Sequence, residues 1–168
     1  MRTEFFIPED NELMRSLFEV NKKGTCGPSC IAVLCKCKVA EIIFNWKKYT
    51  DKKGFVDNTN YRGFAPVKEL MSEIESRGFK IKKQRGLKAR KFPHPKTGLA
   101  IVRVVFLKED GTEFYWMAQP SHYILIKKIS GKWWVFSNDM CWVEEKNAED
   151  LLVNGYVSSY IEIQKVNK

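Results

Sequence analysis

The sequence has no long apolar run. No segment approaches the roughly 18 consecutive apolar residues of a membrane-spanning helix, and the start, MRTEFFIPEDNELM, places Glu4, Pro8 and Asp10 before any run of signal-peptide length. We therefore expect a soluble protein of the cytoplasm. With 168 residues, 44% of them hydrophobic, the chain is sized for one domain over residues 1–168. A domain of this size buries roughly 70% of its unfolded surface.

The cysteines form neither a disulfide framework nor a typical metal site. Their number, five, is odd, and four of them lie within twelve residues, at Cys26, Cys30, Cys35 and Cys37. Structural zinc sites draw ligands from two short pairs on turns, whereas Cys26 and Cys30 fall on one predicted helix. We expect reduced thiols and neither metal nor cofactor. Cys30 should pack inward, and Cys35 and Cys37 should be ordinary thiols at the end of the helix.

Acidic residues are fewer than basic ones, 20 against 29, so the net charge is +9. The excess is concentrated in the run KIKKQRGLKARK, which has seven basic residues and no acid. Such a run can meet phosphates or an acidic partner, and a solvated strand-and-loop surface explains it equally well. A nucleic acid is not expected, because no aromatic platform or nucleic-acid motif accompanies the charge. The side chains available to an acidic partner are Lys80, Lys82, Lys83, Arg85, Lys88, Arg90 and Lys91.

The hydrophobic period changes from helical to alternating after Gly78. The pattern predicts helices over residues 9–20, 26–34, 39–49 and 66–77. It then predicts strands over residues 79–82, 99–106, 122–129, 132–137 and 157–164, with a short helix over 147–153. Turns are predicted at Asp110-Gly111 and Ser130-Gly131. Helices followed by an antiparallel sheet predict an α+β domain.

The stretch TCGPSC places a thiol where a helix begins. Gly27 and Pro28 are disfavoured inside a helix, but Pro28 is tolerated in the first turn, where its missing N–H has no intrahelical partner. Cys26 therefore lies at the N-terminal edge of the predicted helix. Unpaired N–H groups and the helix dipole stabilise a thiolate there, so Cys26 is the candidate nucleophile.

Histidine is scarce, and only His94 and His122 are available as a base. His94 lies between two prolines in a predicted loop, where we expect it to be poorly held, exposed and inert. His122 begins an apolar strand and is the candidate partner of Cys26. The hairpin that follows returns to Asn138 and Asp139, and the end of its second strand lies beside the start of the first. Either residue is thus placed to accept the imidazole N–H.

A family resemblance extends this interpretation. CGPSCIAVL resembles the CGPAALAMVL-type motif of the leader peptidase domains that process bacteriocins, and of their stand-alone relatives, within the papain-like superfamily. GFAPVKELMSEIESRGFKIKK, HYIL and SND resemble later segments of that family in the same order, so the resemblance covers most of residues 20–164. It implies a papain-like fold with a triad of Cys26, His122 and Asp139, and Asn138 as the second choice for the third member.

The resemblance also suggests the surroundings of the nucleophile. The family's oxyanion glutamine, six residues before the cysteine, corresponds to Val20 here, and the nearest amide, Asn21, is the candidate for that role. One ring of the Trp133-Trp134 pair is expected to face outward, because side chains alternate along a strand. The residues expected to line the substrate cleft are Gly24, Thr25, Trp116, Gln119 and Trp134.

The predicted function is thiol-dependent hydrolysis of a peptide or isopeptide bond. The 168 residues contain no transporter segment, so we do not expect the family's double-glycine leader substrate to carry over. Two alternatives remain open. One is a transglutaminase or deamidase on the same triad, since a thioester can be resolved by an amine or by water. The other is a non-enzymatic binding module that uses the basic run on acidic partners.

Overall fold

The structure is a computed structural model, and it describes residues 26–37, 41–42, 67–113, 121–137 and 141–166. Two helices come first, α1 over Cys26–Cys35 and α2 over Val67–Ser76. The strands are β1 Phe79–Ala89, β2 Leu99–Phe106, β3 Ser121–Ile129, β4 Lys132–Ser137, β5 Cys141–Glu144 and β6 Gly155–Lys165. Two short 3₁₀ helices, Glu145–Asn147 and Glu149–Leu152, lie between β5 and β6. The expected α+β class is confirmed.

Helix α1 begins at Cys26, as the Gly-Pro pair predicts. Its C-terminus is formed by Lys36, whose φ of 55° is left-handed. The N–H of Cys37 donates to the carbonyl of Ala32 at 3.0 Å, which is the long hydrogen bond of a Schellman motif. The helix thus ends at Cys35, one residue beyond its predicted end.

Helix α2 packs one face on the sheet. Leu70 and Ile74 are fully buried, and Met71 packs against the same cluster. Glu73 is also buried, and its carboxylate accepts from Nε of Arg77 at 2.8 Å, which offsets the cost of burying the charge. The helix ends before Gly78, as predicted from the sequence.

The described strands form one antiparallel sheet in the order β1-β6-β2-β3-β4-β5. The predicted turn between β3 and β4 is present: Ile129 pairs with Lys132, and Ser130 and Gly131 have φ of 51° and 81°. Two positive φ values identify a type I′ turn, whose twist matches that of the strands. The last strand, β6, enters between β1 and β2, so the sheet depends on pairing between distant parts of the chain.

Both faces of the sheet are covered. On the first face, α1 and α2 pack against alternate residues of the strands, among them Tyr123, Leu125 and Phe136. On the second face, a separate cluster includes Val104, Ile124, Ile126, Val135 and Val157, and it is covered by Phe92, Ala148 and Leu152 from the connecting segments. Alternation along β3 and β4 assigns each side chain to one of these faces.

Three sequence predictions need correction. The helix predicted over residues 147–153 is instead two 3₁₀ helices, because Ala148, with φ of −106° and ψ of 4°, interrupts helical geometry between them. The first strand does not stop at Lys82 but continues to Ala89, with bulges that carry it past Gly86. Strand β5 was not predicted, because four residues give too short an alternation to recognise.

Two predicted helices fall partly or wholly outside the described residues. The segment 9–20 lies outside them. Of the segment 39–49, only Glu41 and Ile42 are described; both are helical, and Ile42 is buried in the first cluster.

Candidate active site

The thiol of Cys26 contacts the backbone of β3. Cys26 is the first residue of α1, and its side chain is partly exposed. The N–H of Tyr123 donates to its Sγ at 3.5 Å, across 97 positions of sequence. An N–H directed at sulfur stabilises negative charge there, as the beginning of a helix also does. The prediction that this thiol lies at a helix N-terminus is confirmed.

The imidazole of His122 is held by the neighbouring strand. Its Nε2 lies 2.6 Å from Oγ of Ser137, the last residue of β4, and Ser137 is fully buried. The ring of Phe106 lies beside it, with centroids 6.5 Å apart. The expected geometry of the hairpin, in which the end of its second strand lies beside the start of the first, is confirmed by this contact.

The register of β3 shows where the sulfur and the imidazole lie relative to each other. The N–H of Lys128 donates to Gly98 at 2.8 Å, on the β2 side, so even-numbered N–H groups of this regular strand face β2. The N–H of Tyr123 therefore faces β4. Sγ of Cys26 occupies that side, near the level of the sheet. The side chain of His122 also leans towards β4, where it meets Ser137. It projects from the second face of the sheet, as does Val104, its partner in β2.

The sulfur and the imidazole thus approach one end of β3, both on its β4 side. Cys26 packs with the first cluster, whereas His122 belongs to the opposite face, so a pair of thiol and general base would have to form around the β4 side of β3.

The three cysteines that follow Cys26 in the described residues all have a raised pKa. Cys30 is fully buried, as predicted, and burial together with the nearby Cys26 raises its pKa well above the usual value for a thiol. Burial raises the pKa of Cys35 to about 11, with a further contribution from Cys37. The pKa of Cys37 is also raised by burial, although its sulfur accepts from the Arg77 guanidinium at 3.4 Å. None of these three thiols is set up to ionise near neutral pH.

Arg103 and Ser158 form a polar pair beside Tyr123. Arg103 is the β2 partner of Tyr123, and its guanidinium donates to Ser158 at 3.3 Å. The pKa of the Tyr123 phenol is raised mainly by burial and also by the negative charge that Cys26 can carry, while Arg103 opposes the shift. Arg103 and Cys26 therefore act in opposite directions on the pKa of the same phenol.

Several predicted site residues lie outside the described residues. They are the oxyanion candidate Asn21, the third-member candidates Asn138 and Asp139, and the cleft candidates Gly24, Thr25, Trp116 and Gln119. Ser137, which the structure adds, directly precedes Asn138. The sequence contained the signal for it: the turn at Ser130-Gly131 fixes the hairpin register, and that register brings Ser137 close to His122.

The expectation for the tryptophan pair was wrong. Neither ring projects into open solvent, because connecting segments cover the second face and helices cover the first. Trp133 packs on the second cluster, and Trp134 packs on the first, where it is half-buried. Trp134 thus shares a face with α1, three residues before Ser137, or about 10 Å along the strand.

The expectation for His94 was half right. Its side chain is 49% exposed, as predicted, but it is not poorly held. The ring stacks on Trp133 with centroids 4.6 Å apart and an interplanar angle of 11°. Its Nε2 lies 2.7 and 2.9 Å from the two carboxylate oxygens of Glu145. Stacking and a charge-assisted hydrogen bond together fix the loop that the flanking prolines left undefined.

The chain matches no model of a known protein family and no curated protein. Within the described ranges, no helix is long and apolar enough to span a membrane. No three His, Cys, Asp or Glu side chains of that same part of the chain come together as metal ligands would.

Proposed function

We propose that this chain is a thiol-dependent hydrolase of the papain-like class, which cleaves a peptide or isopeptide bond with Cys26 as nucleophile and His122 as general base and acid. The observation that supports it is the position of the sulfur: at the first residue of a helix, with a backbone N–H of β3 donating to it at 3.5 Å. The residue before that N–H is His122, whose ring turns to the same side of the strand.

Each group has a defined role in this proposal. The thiolate of Cys26 attacks the carbonyl carbon of the substrate, and we assign the backbone N–H of Cys26 itself, at the start of α1, to the developing oxyanion. The imidazolium of His122 gives its proton to the leaving amine, which leaves a thioester. Water then attacks the thioester while the imidazole takes the proton of the water; the acid product is released, and the thiolate of Cys26 and the imidazolium of His122 are restored.

The orientation of the imidazole is the second requirement. Because Nε2 of His122 lies 2.6 Å from Oγ of Ser137, we assign the other ring nitrogen, Nδ1, to the thiol. Asp139 and Asn138, the candidates for the third member of the triad, would then support the ring through Ser137.

The proposal predicts selective alkylation of one thiol. At pH 8, a thiol with a pKa of about 11, as at Cys35, is thiolate in only about one molecule in a thousand. Limiting iodoacetamide, followed by peptide mass spectrometry, should therefore modify Cys26 at least about 10-fold faster than Cys35 or Cys37 in the folded protein. Denatured protein, in which all thiols are equivalent, is the control for intrinsic reactivity.

The His122→Ala variant tests the base. Its Cys26 should need a higher pH for the same alkylation rate, while the rates at Cys35 and Cys37 stay unchanged. Equal reactivity of Cys26 in the wild type and in His122→Ala, in a protein with an unchanged circular dichroism spectrum, would rule out the pair. Any substrate hydrolysed by the wild type should survive incubation with Cys26→Ala.

A further inference from the structure

A cavity of about 850 Å³ opens on the second face of the sheet, away from α1. Its apolar wall comes from the end of β1, from β6, from the segment after β1 and from the second 3₁₀ helix. The residues of this wall are Leu87, Phe92, Pro93, Leu152, Val153 and Tyr160. The volume is that of a typical ligand site, and it can take a bulky apolar side chain. Val153 is 62% exposed, so the rim presents apolar surface to solvent.

One rim of the cavity is rigid. His94 lines it, backed by the Trp133 ring and bound to the Glu145 carboxylate. This contact gives the Glu145 carboxylate a hydrogen-bond partner within the protein. Of the two carboxylates at the rim, only Glu149 is left without a basic neighbour in the described part of the chain.

The opposite rim is basic. Arg90 and Lys91 line the cavity at the end of the run that begins at Lys80, and every basic side chain of this run is exposed. Within the described residues, one ion pair reaches the run, between Lys88 and Glu113 at 4.0 Å. The rim itself is nearly balanced in charge, and the strand that leads to it makes the surroundings strongly positive.

We propose that this cavity and the adjoining end of β1 form a binding site for an acidic polypeptide segment that carries one bulky apolar side chain. The apolar side chain enters the cavity beside Val153 and Tyr160, and flanking carboxylates meet Arg90 and Lys91. Proteins commonly expose lysines on an edge strand to prevent aggregation, and this accounts for the basic side chains of β1. It does not explain an apolar cavity at the end of that strand, with a rim fixed by a stacked histidine.

Fluorescence anisotropy with a short labelled peptide, a single Phe flanked by Glu on both sides, measures this binding directly. The measurement needs no turnover, so it gives the same answer whether or not Cys26 is a nucleophile. We expect affinity to fall steeply with added salt. A peptide with Gln in place of Glu, or Ser in place of Phe, should bind at least about 10-fold more weakly.

Two matched pairs of variants locate the site. Val153→Glu places a carboxylate in the cavity and should weaken binding at least about 10-fold, whereas Val166→Glu, at another exposed valine, after β6, should leave it within about twofold. Lys91→Glu should likewise weaken binding more than Lys80→Glu does, because Lys80→Glu makes the same charge change about 30 Å away along β1.

Equal effects within either pair, or equal competition by a single-stranded oligonucleotide and by the unlabelled peptide, would overturn the proposal in favour of a general anion surface. Absence of peptide binding at low salt would overturn it outright.

Discussion

Replacement of Ser137 by Ala tests whether the hydroxyl positions the imidazole of His122. Ser137 is fully buried, and its Oγ is 2.6 Å from Nε2, a short distance for such a bond. Ala removes the hydroxyl with little change of volume, so the backbone of β4 and its pairing with β3 should persist. The effect should therefore appear in the chemistry of Cys26 more than in the fold.

The size of the effect follows from the energetics of a hydrogen bond. An intramolecular hydrogen bond contributes about 0.5–1.5 kcal/mol net, and more is lost when a buried partner is left unsatisfied. His122 is partly exposed, so water can take the place of the lost partner, and the net range applies and not the larger loss of an unsatisfied buried group. A loss of about 1 kcal/mol in the productive orientation corresponds to about fivefold in the alkylation rate of Cys26 at neutral pH.

Two measurements separate positioning from general destabilisation. The chain has only two histidines, so the imidazole C–H resonances of His122 are assigned by comparison with His94→Ala, and their pH titration should shift in Ser137→Ala. The pH profile of Cys26 alkylation should move to higher pH in parallel. Ser76→Ala, which removes a serine hydroxyl that donates to Glu73 on α2, should change neither. Unaltered titration and alkylation profiles in folded Ser137→Ala would refute the role.

Two further predictions concern stability. A Cβ at Gly155 would lie 2.9 Å from the carbonyl oxygen of Val105, so Gly155→Ala should lower the free energy of unfolding by about 1–3 kcal/mol in urea denaturation. A Cβ at Gly86 would meet nothing closer than 3.8 Å, so the control Gly86→Ala should lower it by less than about 1 kcal/mol. Equal losses in the two variants would contradict the packing argument. The pKa of Cys35 is raised to about 11 in the fold, so folding favours its neutral thiol, and stability is full below pH 9 and falls as the pH rises towards 11. Cys35→Ala should make that alkaline decline shallower, and an unchanged slope would show that Cys35 does not contribute.

Local signals in the sequence were sufficient for much of the fold. The Gly-Pro pair placed the start of α1, Gly78 the end of α2, and Ser130-Gly131 the β3–β4 hairpin, because each depends on backbone conformations that few residues adopt. Such local signals do not determine the order of the strands in the sheet. The insertion of β6 between β1 and β2 depends on which apolar faces match across the folded chain, and no local pattern contains that information.

The errors at His94 and at the tryptophan pair have a common cause. A loop histidine between prolines has no local partner, and an adjacent aromatic pair on a strand normally sends one ring outward. Here the 3₁₀ segment after β5 covers the second face, and it brings Glu145 to His94, which stacks on Trp133. Both errors follow from β5, the strand that was too short to predict.

The candidate site was predictable where it depends on the hairpin. Because β3 and β4 pair without a bulge, the positions that meet at their open end follow from the turn alone, and Ser137 could have been named with Asn138 and Asp139. The contact of Cys26 with Tyr123 was not predictable in this sense, because it depends on how α1 crosses the sheet. That crossing is set by the packing of side chains such as Ile31 between the helix and the first face.

The two proposed sites can be tested separately because they lie at opposite ends of β4. Cys26 reaches β3 from the first face, whereas His122 and the cavity share the second face; along β4, about 13 Å separates Trp133, behind His94, from Ser137. Side chains this far apart, with no shared partner, usually act independently. Val153→Glu should therefore leave alkylation of Cys26 unchanged, and His122→Ala should leave peptide binding unchanged. If either variant altered both properties, the cavity and the thiol would belong to one substrate site that extends around the end of β3 and β4.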